Sequence, residues 1–235
     1  ATPWQRWWRR RVHARLGRHV AVGVGSAREL EAHLGLEVGE VTTVHNGVPV
    51  PAARPPRRAT ARPVVGTLSR LDPQKDLDGL LRATASLDVD LRIIGEGPLR
   101  AELEGLAATL GSLDRVTFTG WTDDPGDELA QLDLFVLASK SEGFPLAIVE
   151  AMLMGLPVVA TAVGSVQEAV EHDVTGLLVP PEDEGALRAA IASLANDPDR
   201  RASMGTAGRE RAGASFTAPA MAQAFEAIYR ETAAR

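Results

Sequence analysis

At 235 residues and 45% apolar side chains, the chain is long enough to bury a core and too apolar to be disordered. Its net charge of −6 is unevenly spread: residues 1–62 hold eleven Arg and four Glu, and residues 63–235 hold fourteen Lys and Arg against twenty-seven Asp and Glu. The larger part is therefore acidic and unsuited to nucleic acid. There is no cysteine, which removes disulfides, thiolate metal sites and thiol nucleophiles. No apolar run of about eighteen residues is present, and the first residues lack the apolar middle of a secretory signal, so a cytoplasmic location is expected.

The first eighteen residues carry six Arg, no acid, and a helical stripe of Trp4, Trp8, Val12 and Leu16, with Trp7 beside it. Such a helix suits either an anionic membrane surface, as a peripheral contact, or another part of its own domain. H-V-A-V-G-V-G-S (19–26) then reads as a strand, S-A-R-E-L-E-A-H-L-G (26–35) as a capped helix ending at Gly35, and V-T-T-V-H-N-G-V (41–48) as a strand and turn. Residues 49–63 hold five prolines and no periodicity, and read as a linker. About fifty residues before a linker are too few for a domain. The expected organisation is a remnant of an N-terminal domain over 1–50, a linker over 51–62, and a main domain over 63–235.

In the main domain, short β-branched runs alternate with helical spacing. The runs are P-V-V-G-T-L (63–68), L-R-I-I-G (91–95), R-V-T-F-T-G (115–120), D-L-F-V-L-A-S (133–139), L-P-V-V-A-T (156–161) and G-L-L-V-P (176–180). Between them lie Leu77, Leu80, Leu81 and Thr84, then Leu99, Leu103 and Leu106; Leu187, Ile191 and Leu194 follow the last run. Six βα units in succession predict an α/β fold with a Rossmann-like parallel sheet and helices on both faces. Ligands of such sheets sit at the carboxyl ends of the strands, so the loops there are the ones to search.

The loop after the first of these strands, G-T-L-S-R-L-D-P-Q-K-D-L, holds Arg70 and Lys75. A guanidinium fork and a compact ammonium together suit a diphosphate that is bound and then stabilised as it leaves; two solvated surface cations are the plain alternative. Arg is the usual base here, with 23 against two Lys, and those two, Lys75 and Lys140, both lie in such loops. Further on, S-K-S-E-G-F-P-L-A-I-V-E-A-M (139–152) enters an apolar helix whose sole ionisable residue is Glu150. A lone carboxylate there is costly to bury unless something polar meets it: a core ion pair, or the hydroxyls of a ribose. Glu142, in the loop before, is placed for a polyol or is a simple exposed acid. Gly143 allows close backbone approach, Pro145 suits the first turn of a helix, and the helix N-terminus favours an anion.

Other signals carry less. G-V-G-S-A-R (23–28) and G-E-G-P-L-R (95–100) place Arg where a dinucleotide fingerprint needs its third glycine. Asp88 and Asp90 imitate a metal-binding pair but precede a strand, at the wrong edge of the sheet. The five His are scattered without metal-ligand spacing.

Taken together, these stretches resemble the C-terminal, donor-binding half of retaining glycosyltransferases of the GT-B fold, family 4, also called group 1. The resemblance rests on G-T-L-S-R-L-D-P-Q-K (66–75), G-E-G-P-L (95–99), V-T-F-T-G-W (116–121), E-G-F-P-L-A-I-V-E-A-M (142–152), G-L-P-V-V-A-T (155–161), the turn with Gly164 and Glu168, and T-G-L-L-V-P (175–180). It implies a nucleotide-sugar donor, no cofactor and no metal. Arg70 and Lys75 would hold the diphosphate, and Glu142 with the backbone of Gly143, Phe144, Pro145 and Leu146 would meet the sugar and phosphates. Glu150 would hold the ribose, with Gly95, Trp121 and Thr122 near the base. Asp76 stands where the family often has Gly, and Ala138 where it often has Pro. The acceptor side of the family's cleft belongs to an N-terminal domain of which only a remnant is expected here, so the acceptor is left open. A nucleotide-sugar epimerase of the same fold and a non-catalytic nucleotide-sugar binding module are the competing readings.

Overall fold

The computed structural model describes residues 18–51 and 60–234, together with Trp4 and Leu16. Apart from Trp4 and Leu16, the N-terminal amphipathic stripe lies outside the described residues, as does most of the proline-rich linker. Two parallel strands, β1 (His19–Ala21) and β2 (Val41–Thr43), form a small sheet bridged by helix α1 (Val24–Leu34). Glu31 of α1 is buried and staples this unit together, accepting the Gly39 and Val41 N–H groups at 2.7 and 3.1 Å and pairing with Arg28.

The six strands expected from the sequence form one parallel sheet: β3 (Val64–Leu68), β4 (Asp90–Ile94), β5 (Val116–Gly120), β6 (Leu134–Leu137), β7 (Val158–Thr161) and β8 (Gly176–Val179). Their order is β5-β4-β3-β6-β7-β8, so the connections run outward from β3 in one direction and from β6 in the other. The crevice where that order reverses, between the carboxyl ends of β3 and β6, is where an open α/β sheet receives its ligand.

Alternation along each strand divides the core between two faces. Leu134 and Val136 of β6 join Leu80 and Leu81 of α2 (Leu77–Thr84), Leu103 of α3 (Arg100–Thr109) and Ile191 of α7 (Glu184–Ala195). Phe135 and Leu137 point the other way, to Leu129 of α4 (Pro125–Leu129), Ile148 and Met152 of α5 (Leu146–Leu153), Val166 of α6 (Val166–Ala169) and Ala212 of α8 (Pro198–Ser215). A strand buried on both faces reads as a continuous apolar run, which is how L-F-V-L appears in the sequence. The last helix, α9 (Ala218–Ala233), has no fully buried residue.

The small N-terminal unit docks on the larger one. Val48 joins the second core face, and its N–H and carbonyl bond Phe216 and Ala218 at 3.1 and 2.9 Å. One sequence expectation fails here. The first helix does not begin at Ser26 with that residue as its cap. It begins at Val24 after an extended Gly23, because Glu168, far away in sequence, accepts the Val24 and Gly25 N–H groups at 2.9 and 3.2 Å. The cap is tertiary, and the helix starts where the carboxylate is. Accordingly the strand before it is confined to residues 19–21.

Candidate functional site

The loop leaving β3 turns over a short 3-10 segment, Pro73–Lys75, whose entry is capped by Asp72 accepting the Gln74 N–H at 3.1 Å. This turn lies against the loop leaving β6, joined by the Lys140 N–H donating to the Gln74 carbonyl at 2.8 Å. Lys75 and Glu142 thereby meet at the crevice: Lys75 Nζ donates to Glu142 Oε1 at 2.7 Å, and Ser139 Oγ donates to the same oxygen at 2.6 Å. The Thr161 hydroxyl holds the Ser139 carbonyl at 2.6 Å. Both contacts converge on Oε1, which leaves Glu142 Oε2 without a partner among the described residues. Gly164 closes the loop from above; at φ 51 a Cβ there would stand 1.8 Å from the Glu142 carbonyl oxygen. Only glycine accepts both the backbone angle and that approach.

Pro145 is the residue just outside α5, in extended conformation, and not its first helical residue. The first turn begins at Leu146 without side-chain capping, its Ile148 N–H reaching the Pro145 carbonyl at 3.2 Å. Gly143 faces open space, with Val22 of the N-terminal unit 4.0 Å from where its Cβ would be. The Phe144 side chain turns into the core, its ring 4.9 Å from His45 and 5.2 Å from Phe216, so only its backbone is available to a ligand.

A second grouping lies on the β4–β5 side. A cleft of about 360 Å³ is lined by Arg70, Gly95, Trp121, Thr122 and Glu150, residues drawn from three different loops and a helix. Gly95, at φ 128, lets the β4 loop touch the β3 loop: a Cβ would sit 2.0 Å from the Ser69 carbonyl oxygen, and the Gly95 N–H reaches the Gly120 carbonyl at 2.9 Å. Trp121 projects from the end of β5 with 75% of its surface exposed, its Nε1 donating to Asp123 at 3.2 Å. Arg70 is 77% exposed at its side chain, with Asp72 3.5 Å away. The Glu150 carboxylate forms no hydrogen bond or ion pair among the described residues, and burial alone pushes it above the ordinary range. It also borders a second cavity of about 270 Å³, toward Val48, Pro49 and Pro51.

The structure thus gathers Arg70, Gly95, Trp121, Thr122 and Glu150 in one cleft, and Lys75 and Glu142 beside the N-terminus of α5 in another grouping. The two cations differ in surroundings: Arg70 is open to solvent, and Lys75 is half-buried and paired with Glu142. Asp88 and Asp90 begin β4 at the far edge of the sheet, where Arg62 holds Asp88 at 2.5 Å. Among the described residues no group of three or more His, Asp or Glu is placed to hold a metal ion.

Sequence reasoning placed Glu168 in a turn of the resemblance without a role and set His45 aside with the other histidines. The Glu168 carboxylate takes the Val24 and Gly25 N–H groups and pairs with His45 Nε2 at 2.8 Å. Burial would raise its carboxyl, but these hydrogen bonds outweigh burial and hold it below the ordinary range. His45 in turn packs on Phe144, next to Gly143. No local pattern announces a contact spanning 123 residues.

Comparison with known proteins gives the architecture its context. Residues 52–211 match the family described as glycosyl transferases group 1. A GDP-mannose-dependent alpha-(1-6)-phosphatidylinositol monomannoside mannosyltransferase of Mycobacterium tuberculosis is 38% identical over 69% of this chain and 47% of its own. A D-inositol 3-phosphate glycosyltransferase of Thermobispora bispora is 34% identical over 93% of this chain and 56% of its own. The chain spans about half the length of the curated relatives it matches. Among solved structures, sucrose-phosphate synthase of Thermosynechococcus elongatus superposes with a TM-score of 0.82 at 30% identity, over 92% of this chain and 58% of its own. Anabaena HepE in complex with UDP gives the same TM-score at 25% identity, over 92% of this chain and 64% of its own.

Proposed function

The chain belongs to the glycosyl transferases group 1 family and has the GT-B donor-domain fold, and we propose that it binds the donor in a nucleotide-sugar-dependent glycosyltransferase. The transfer would go from a nucleoside-diphosphate sugar to an acceptor hydroxyl, with retention at the anomeric carbon. The observation that carries this reading is Glu150: a half-buried carboxylate without a partner, facing a cleft that also holds Arg70, Gly95 and an exposed Trp121. An unpartnered buried acceptor is costly to keep. Two neighbouring ribose hydroxyls would supply the missing donors, with the base against Trp121 and Thr122 and the diphosphate toward Arg70.

From there the diphosphate would lead to Lys75 and the free N–H groups at Leu146, which meet the charge that develops on the departing phosphate oxygen. Lys75 has three donors, so it can keep Glu142 and still reach a phosphate. Glu142 Oε2 would accept a hydroxyl of the transferred sugar. These cations take the place a metal would otherwise fill. The acceptor side of the cleft would be supplied by a domain outside these 235 residues, in keeping with the length of the relatives. The six Arg of the first eighteen residues suit a cytoplasmic site of action beside an anionic membrane surface.

The test is calorimetric titration with UDP, GDP and ADP beside uridine, guanosine and adenosine. One diphosphate should bind far better than its nucleoside, and Arg70→Ala should weaken it about ten-fold while sparing the nucleoside, as loss of a charge-assisted bond predicts. Equal losses for both ligands would contradict the assignment. The isolated chain should transfer little sugar, because orienting two reactants supplies on the order of 7–11 kcal/mol in favourable systems. With the acceptor domain supplied, retention is read from the anomeric signals of the product. Inversion of a sugar centre without transfer would mark an epimerase, and binding without turnover a module.

A further inference from the structure

Lys140 is one of two lysines in the chain, and the donor site as described does not use it. Its backbone N–H donates to the Gln74 carbonyl, and its ammonium stands 3.3 Å from Asp76 Oδ1 and 3.4 Å from Glu182 Oε1. Gln74 and Asp76 are the two neighbours of Lys75. Asp76 ends the 3-10 segment and leads into α2 at φ 48, ψ 42, the left-handed region that most side chains avoid. It is 9% exposed, and its carboxylate lies back over Gly79, where a Cβ would come within 2.6 Å of Oδ2. Burial pushes the Asp76 carboxyl upward and Asp78 adds to this, while Lys140 opposes both. The hydrogen bond to Asp76 holds the proton on Lys140 more firmly than usual, with Glu182 adding to it.

We propose that Lys140 is a positioning residue that sets the aim of Lys75. It grips the turn on both sides of Lys75, by its backbone on Gln74 and its ammonium on Asp76, and it lies two residues before Glu142. One residue therefore registers both partners of the Lys75–Glu142 pair against each other. The left-handed turn at Asp76 is held by this ion pair, where a glycine would adopt the same angle freely but leave the Lys140 ammonium no hold on the turn. The inference rests on the proposed donor reading, since Lys75 matters only if it meets a phosphate.

The experiment compares Lys140→Met, Lys140→Arg, Asp76→Gly, the double variant Asp76→Gly/Lys140→Met, and Lys75→Ala. Each is titrated with the tightest-binding of UDP, GDP and ADP and with its nucleoside, and its thermal midpoint is measured. Lys140→Met should lose about five- to ten-fold in diphosphate affinity while the nucleoside changes less than about two-fold, and Lys140→Arg should stay within about three-fold of wild type. Asp76→Gly and the double variant should show the same diphosphate loss as Lys140→Met, without addition, while the double variant unfolds no lower than wild type because no buried carboxylate is left unpaired, Glu182 being exposed, and glycine accepts the angle. The double variant leaves net charge unchanged, so recovery of its diphosphate affinity would show that Lys140 acts only as a charge and would overturn the proposal. Wild-type affinity in Lys140→Met, or equal loss of the nucleoside, would also overturn it. If those variants are neutral while Lys75→Ala weakens the diphosphate, the positioning role alone fails; if Lys75→Ala is neutral too, the donor reading fails with it.

Discussion

Glu150 on α5 and Glu168 on α6 are both partly buried carboxylates, yet their surroundings are opposite. Glu168 is surrounded by donors, two helix N–H groups and an imidazole, and its carboxyl is held below the ordinary range. Glu150 has no partner, and its carboxyl is pushed above that range by burial alone. Glu168 joins the N-terminal unit to the sheet, while Glu150 faces an open cleft. Burial alone therefore does not mark a functional acid. The number of donors that meet it separates the two: Glu168 is satisfied within the fold, and Glu150 is the one that, in the function proposed above, has room for a ligand's hydroxyls.

The largest effect expected from breaking this contrast is at Glu168. Glu168→Ala removes the cap of α1 and the partner of His45, and should cost about 2–3 kcal/mol in urea unfolding at pH 7. Its folded carboxyl is depressed, so its contribution is complete above the unfolded value near about 4.3 and is lost as pH falls through the folded value. The gap between variant and wild type should therefore close in acid. Equal stability at pH 7 would make the clasp incidental.

At Glu150 the same kind of change should act on ligand binding. Glu150→Gln should reduce the preference for ribo- over 2′-deoxynucleotides by about ten-fold, or ~1.4 kcal/mol, in paired calorimetric titrations. An unchanged preference would return Glu150 to the class of structural acids.

The same variant should also be slightly more stable than wild type without ligand. A raised folded value means that the native state holds its proton longer than the unfolded chain, so wild-type stability falls as pH rises from the unfolded value through the folded one. Glutamine escapes that loss. The gain should be about 0.5–1 kcal/mol at pH 7, allowing for the water that reaches the cleft, and absent below pH ~4. A destabilised variant at pH 7 would reveal a partner for the carboxylate.

The smallest stability change is expected at Trp121. Trp121→Ala should change the free energy of urea unfolding by no more than about 0.5 kcal/mol, as for an exposed side chain, while weakening the nucleoside by about 0.5–1.5 kcal/mol through lost stacking. A large loss of stability would show the ring to be part of the core.

The sequence by itself determined the six-stranded sheet, because its central strands are buried on both faces and therefore appear as short, dense apolar runs such as V-V-G-T-L or L-F-V-L, while β4 and β5 keep the β-branched and aromatic residues of strands. It also determined α2 and α7, where Leu77, Leu80 and Leu81, and Leu187, Ile191 and Leu194, fall at helical spacing and are all buried. Glu150 was legible for the same reason, as the one charge in an apolar helix. What only the tertiary structure decided was which polar groups meet: that Glu142 is held by Lys75 and Ser139, that Arg70 is left open to solvent, and that α1 starts two residues early at Val24 because Glu168 caps it. Apolar burial leaves a periodic trace in the chain, since every turn of a helix repeats the same demand. A hydrogen bond between residues 67 or 144 positions apart leaves none, because it depends on where the folded sheet brings two loops together.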